Sequence, residues 1–199
     1  MLRIAIVIGS TRPNRQCHTV AQWVHTHAGH RQDADYEILD LADFSLPLLD
    51  EPVAAAMSND YARETTRAWS RAIAAFDGYV FVTPEYNHGP TAALKNALDL
   101  LFVEWNDKAA GFVSYGLQGG VRAVEHLRVI AAELAVADVR IQVALSFSND
   151  FTDRQLHPHP HQEEILNRML DQLSSWATAL QTVRLTAQNT ALTGAGFSG

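Results

Sequence analysis

The chain has 199 residues, 47% hydrophobic and 19% charged, the balance of one folded domain with a sizeable core. Its formal net charge of −7 argues against nucleic acid as the main partner, and no apolar run approaches the roughly 20 residues of a membrane span. A single cysteine, Cys17, excludes an internal disulfide and fits a reducing compartment, so the cytoplasm is the expected location.

The first element is a strand over Leu2–Ile8, with no secretory cleavage site before it. A turn follows, Gly9-Ser10-Thr11-Arg12-Pro13-Asn14-Arg15-Gln16-Cys17, leading into a helix marked by Val20, Trp23, Val24 and His27. A helix N-terminus with free N–H groups, hydroxyls at Ser10 and Thr11 and guanidinium groups at Arg12 and Arg15 suits a phosphate dianion. The same residues also suit a solvated basic patch. No Gly-Lys-Ser/Thr closes the turn, so it is not a Walker loop. A second strand, Tyr36–Leu39, runs into the long apolar-acidic connection Asp40–Pro52, of the kind that is functional or interfacial.

Tyr61, Thr65, Ala68, Trp69, Ala72 and Phe76 mark the second helix, and Tyr79–Val82 a buried third strand. The loop Thr83-Pro84-Glu85-Tyr86-Asn87-His88-Gly89-Pro90 then opens a helix with Leu94, Ala97, Leu98 and Leu101 on one face. Pro84 keeps Thr83 extended, and the loop is expected to present a row of free backbone N–H groups. Such a row suits a flat heterocycle rimmed with acceptors, and a flavin ring is one. The fourth strand, Gly111–Ser114, leads into the turn Ser114-Tyr115-Gly116-Leu117-Gln118-Gly119-Gly120 and a helix marked by Val121, Val124, Leu127, Ala131 and Leu134. Its glycines let the backbone approach a ligand closely, or serve helix entry by geometry alone. A fifth strand, Val139–Leu145, and a helix marked by Ile165, Met169, Leu173, Trp176 and Leu180 complete the domain, taken as residues 1–185. From Thr186 to Gly199 no periodicity is visible, and a disordered tail is expected.

Most strands are continuous apolar runs, as parallel strands covered on both faces require. Repeated βα units predict an α/β three-layer sandwich with right-handed crossovers. The turns after strands one, three and four then share one sheet edge. In a flavodoxin-like order 2-1-3-4-5, that edge is the topological switch point at which such folds hold FMN.

Three segments, GSTRPNRQ (Gly9–Gln16), PEYNHGPTAALKNALD (Pro84–Asp99) and SYGLQGGVRAVEHLR (Ser114–Arg128), resemble the NADPH-dependent FMN reductase family in order and spacing. That family comprises flavodoxin-like NAD(P)H:quinone, azo-dye and chromate reductases. The resemblance implies FMN as cofactor, NAD(P)H as co-substrate and a small-molecule electron acceptor served by ping-pong turnover. By the same resemblance Ser10, Arg12, Arg15, Gln16 and Cys17 hold the FMN phosphate. Pro84, Glu85, Tyr86 and Asn87 border the isoalloxazine, and Ser114, Tyr115, Gly116, Gly119 and Gly120 its other edge. No catalytic acid or base is required of the protein. The family also implies a homodimer or tetramer. Gln16 and Cys17 depart from the serine or asparagine of many members, as does Pro90-Thr91-Ala92-Ala93 before Leu-Lys-Asn. The rival readings are a flavodoxin-type electron carrier, a flavin-loaded redox-responsive interaction protein and an α/β domain without flavin.

Other motifs carry less. Gly194–Gly199 spells G-x-G-x-x-G, but no strand precedes it. The prolines in His157-Pro158-His159-Pro160-His161 hinder convergence on one metal ion, so a surface turn is expected there. His25, His27 and His30 read as surface residues at a helix end. Cys17 reads as a packed or ligand-adjacent thiol rather than a reactive one.

Overall fold

The computed structural model describes residues 1–194, with side chains described through Ala187. Five parallel strands form the sheet: β1 (Leu2–Ile8), β2 (Ala34–Asp40), β3 (Gly78–Pro84), β4 (Lys108–Gly116) and β5 (Val136–Ser146). Their order is β2-β1-β3-β4-β5, the flavodoxin-like arrangement expected from the sequence. Strands β3 and β4 bury every residue, which explains their unbroken apolar runs. Edge strand β2 alternates buried and exposed at its start, Ala34 and Tyr36 in, Asp35 and Glu37 out.

The strand pleat divides the core in two. Ile4, Ile6 and Ile8 of β1, with Val80 and Val82 of β3, pack under helices α1 (Gln16–Ala28) and α5 (Pro160–Gly194) through Val20, Val24, Leu166 and Leu173. Ala5 and Val7, with Phe81 and Phe112, face α2 (Glu64–Ala74), α3 (Ala92–Asp99) and α4 (Val121–Glu133) through Trp69, Ile73, Leu98 and Leu127. Trp69, Tyr79 and Trp105 meet edge to face in this second half, with centroids 5.0 to 6.0 Å apart.

Two features pin the carboxyl edge where the turns gather. Gly9 N–H donates to the Val82 carbonyl at 2.8 Å, and a Cβ on Gly9 would sit 2.7 Å from that oxygen. Only glycine lets β1 and β3 close there. Thr91 caps α3 by accepting from Leu94 N–H at 3.0 Å, and its hydroxyl donates to the Gly9 carbonyl. One side chain thereby ties the turn after β3 to the turn after β1.

Three differences from the sequence reading are local. Helix α5 runs to Gly194, into the Thr186–Gly199 segment expected to be a disordered tail. Its composition allows this: no proline follows Pro160, and Ala187, Gln188, Ala191 and Leu192 are good helix formers. Residues 195–199, with most of the G-x-G-x-x-G letters, lie outside the described residues. The connection after β2 opens with a 3-10 turn, Leu41–Phe44, whose Ala42 N–H is held by the Asp40 carboxylate at 3.0 Å. A small hairpin, β6 (Phe151–Thr152) and β7 (Gln155–Leu156), separates β5 from α5.

Candidate functional site

A cavity of about 420 Å³ opens at the carboxyl edge of the sheet, within the usual size of a cofactor site. The turn after β1 contributes Arg12, Asn14, Arg15 and Gln16; the turn after β3 contributes Pro84, Glu85 and Tyr86; β4 contributes Tyr115. Phe147, Phe151, Asp153 and Arg154, from the end of β5 and the hairpin, form the remaining wall.

At the β1 side the polar groups are chiefly donors. Helix α1 begins after Arg15, whose backbone is extended and whose side chain makes no cap, so no cap side chain engages the N–H groups of the first turn. The Arg15 guanidinium turns instead to the Asp40 carboxylate, and both side chains are largely buried. Its Nε is buried with no partner, an orphan donor at the cavity's edge. Ser10 is buried beneath the turn, its hydroxyl 3.5 Å from that of Tyr86 and 3.4 Å from Arg12 N–H. An acceptor-rich, anionic group such as a phosphate monoester fits this set of donors.

The turn after β3 closes on itself more than expected. Tyr86 and Gly89 exchange backbone hydrogen bonds at 3.0 and 3.1 Å, and Glu85 N–H donates to the Tyr115 carbonyl at 3.2 Å. Asn87 and His88, at φ 49° and 76°, make the left-handed two-residue tip of this hairpin. The anticipated row of free N–H groups is therefore partly spent inside the loop. Asn87 faces a separate open groove beside His88 and His126, away from the cavity.

Glu85 lines the cavity but serves helix α4. Its carboxylate accepts from Arg122 N–H at 3.2 Å and pairs with the Arg122 guanidinium. Burial pushes the Glu85 pKa up, but the Arg122 contacts outweigh it and hold the carboxyl below its ordinary value. Glu85 thus stays ionised and completes the α4 N-terminus.

Ser114, Gly116, Gly119 and Gly120 shape the end of β4 and the turn after it, and do not line the cavity. The Ser114 hydroxyl donates to the Gly119 carbonyl at 2.7 Å, and the Gly116 carbonyl accepts from Phe147 N–H at 3.0 Å. Gly119 and Gly120 both take left-handed φ, 68° and 73°. A Cβ on Gly120 would lie 2.8 Å from that of Ser114 and 2.9 Å from Tyr115 N. The turn therefore requires glycine whatever it binds.

Cys17 is fully buried and does not line the cavity. Its thiol donates to the Val82 carbonyl at 3.0 Å, and burial pushes its pKa up to about 12. A thiol in that state does not act as a nucleophile or anion ligand at neutral pH.

Seven of the residues expected at the site line one cavity: Arg12, Arg15, Gln16, Pro84, Glu85, Tyr86 and Tyr115. Ser10, Cys17, Ser114 and the three glycines do not line it, and Asn87 lines the separate groove beside His88 and His126. Asn14 and the whole wall from Phe147 to Arg154 escaped sequence reasoning. The signal was present in two aromatic residues just past the last strand, followed by the polar turn Asp153-Arg154.

Residues 2–150 match the NADPH-dependent FMN reductase family. The chain belongs to that family. As an FMN reductase it is an oxidoreductase with FMN as cofactor and NAD(P)H as co-substrate. An NAD(P)H-dependent FMN reductase of Schizosaccharomyces pombe is 42% identical over 149 residues, 74% of this chain and 74% of that one. A 2-hydroxy-1,4-benzoquinone reductase of a Burkholderia species is 33% identical over 145 residues, 68% of this chain and 73% of that one. The structure of FerB, a flavoenzyme NAD(P)H:(acceptor) oxidoreductase from Paracoccus denitrificans, shares the fold with a TM-score of 0.68 at 17% identity, covering 90% of this chain and 98% of that one.

Proposed function

We propose that this FMN reductase transfers hydride from NAD(P)H to a quinone-like or other small acceptor by a ping-pong mechanism in the described cavity. The observation that carries the reading is the convergence of the turns after β1 and β3, the end of β4 and the segment after β5 on one cavity that offers donors at one end and aromatic walls elsewhere. The Burkholderia relative, named for a benzoquinone substrate, supports a quinone-like acceptor.

Bound FMN supplies the hydride-carrying centre, which no protein side chain can provide. The protein's part is position and electrostatics. Arg12 and the first-turn N–H groups of α1 hold the anionic end, and the orphaned Arg15 Nε gains a partner there. Pro84, Tyr86 and Tyr115 border the ring, and Phe147 and Phe151 exclude water from its side of the cavity. Tyr86, 38% exposed, stands where it shapes entry of both nicotinamide and acceptor. Glu85, fixed to Arg122, acts as a positioning residue for the turn and moves no proton. Two substrates using one cavity in turn give ping-pong kinetics. A homodimer or tetramer in the cytoplasm is the assembly that accompanies this reading.

Steady-state NADPH oxidation with varied benzoquinone tests it. Parallel double-reciprocal lines and turnover without any added reductase are expected. Intersecting lines refute the ping-pong order. Absence of turnover unless a separate reductase is added identifies an electron carrier instead.

A further inference from the structure

The hairpin β6–β7 lies just beyond the segment that matches the family, residues 2–150, and outside all three turns expected to hold the cofactor. It is nonetheless firmly seated. The buried Asp150 carboxylate accepts from Ser146 N–H at 2.8 Å and from His159 N–H at 3.1 Å. The Asp150 carbonyl accepts from His157 N–H at 2.7 Å. Phe151 packs edge-on against Phe147, centroids 5.1 Å apart, and lies 6.2 Å from Tyr115.

At the hairpin tip Asp153 and Arg154 take left-handed φ, 49° and 64°. Residues with side chains adopt that region at a cost, and glycine or asparagine is the usual choice. Here the turn instead places an arginine on the cavity wall.

The charges around the cavity do not balance. Arg15 is committed to Asp40, and Glu85 to Arg122. Among the described residues Arg12, Arg154 and Asp153 form no ion pair, so two guanidinium groups face one carboxylate on the same cavity. A dianion brought between the arginines meets a net positive wall, and guanidinium geometry suits phosphate oxygens.

We propose that Arg154 clamps the FMN phosphate together with Arg12, making the hairpin a fourth part of the cofactor site. The inference rests on the FMN reading above and adds to it a residue from outside the family's matching segment.

FMN and riboflavin differ only in the phosphate, and this makes the test. Each is titrated into flavin-free protein by fluorescence quenching, for wild type, Arg154→Ala, Arg154→Lys and the charge control Arg140→Ala, at an exposed position of β5. Loss of a charge-assisted contact predicts FMN binding about tenfold or more weaker in Arg154→Ala. Riboflavin affinity is expected to stay within about twofold, as for a surface change. Arg154→Lys should recover part of the loss, and Arg140→Ala should match wild type. Equal weakening of both flavins would reduce Arg154 to a structural role and overturn the proposal. Unchanged FMN affinity overturns it too, and a raised KM for NADPH alone would reassign the hairpin to the co-substrate. Failure of wild type to bind FMN removes the underlying reading as well.

Discussion

Arg15 and Asp40 form an ion pair that joins the start of α1 to the end of β2, with only 17% and 15% of their side chains exposed. The pair holds the Nη2 end of a guanidinium in the turn after β1 and leaves its Nε without a partner. It also places a carboxylate near an anion site, where it opposes a phosphate. Asp40→Asn keeps the cap on Ala42 N–H and removes the charge. It is expected to cost about 1–3 kcal/mol, because a nearly buried guanidinium loses its partner. FMN affinity should hold or rise. Urea unfolding and FMN titration of the same variant check both parts, and a joint fall in stability and affinity would contradict this view of the pair.

Gly120 is held at φ 73° with Ser114 and Tyr115 closed around it. Gly120→Ala should lose at least about 2 kcal/mol, from left-handed strain and a Cβ placed against backbone. Displacement of the turn should also weaken flavin binding. Thermal unfolding with and without FMN measures the two effects separately.

Cys17 should be silent in the native protein. Its buried thiol, with a pKa pushed up to about 12, predicts no rapid reaction with a thiol reagent at neutral pH and full reaction after unfolding. Rapid modification of the folded protein would show that α1 opens far more readily than its packing implies.

Lys108 gives the stability a pH signature. Its ammonium is buried at the start of β4, donating to the Ile73 carbonyl at 2.9 Å and the Tyr79 hydroxyl at 3.0 Å. Burial first, and the Arg184 charge second, lower its pKa from 10.5 to about 7. Between those values the unfolded chain binds the proton and the native chain does not. Lys108 therefore makes stability rise with pH through that window and depresses it below about 7. Lys108→Met should flatten the slope of unfolding free energy between neutral and alkaline pH. A slope that survives the substitution would place its source elsewhere.

Much of the fold was legible because the chain is locally consistent. The central strands are buried on both faces, so β3 and β4 read as unbroken apolar runs, and helices α2, α3 and α4 announce their inner faces by spacing. The turns after β1, β3 and β4 were visible as glycine, proline and hydroxyl clusters at element boundaries. What stayed hidden is non-local. Nothing near Arg15 reveals that Asp40, 25 positions on, takes its charge, and nothing near Glu85 reveals Arg122, 37 positions on. Strands of two residues, as in the β6–β7 hairpin, are too short to show a period, so only the aromatic pair and the polar turn hinted at the hairpin, and neither tied Arg154 to the cavity.

The most direct test is an anaerobic titration of the FMN-loaded protein, first with NADPH and then with benzoquinone, followed at the main flavin absorbance band. One equivalent of NADPH should bleach one equivalent of bound flavin, and one equivalent of quinone should restore the colour without added reductase. A protein that fails to retain FMN, or whose bound flavin stays yellow under excess NADPH, would contradict the account.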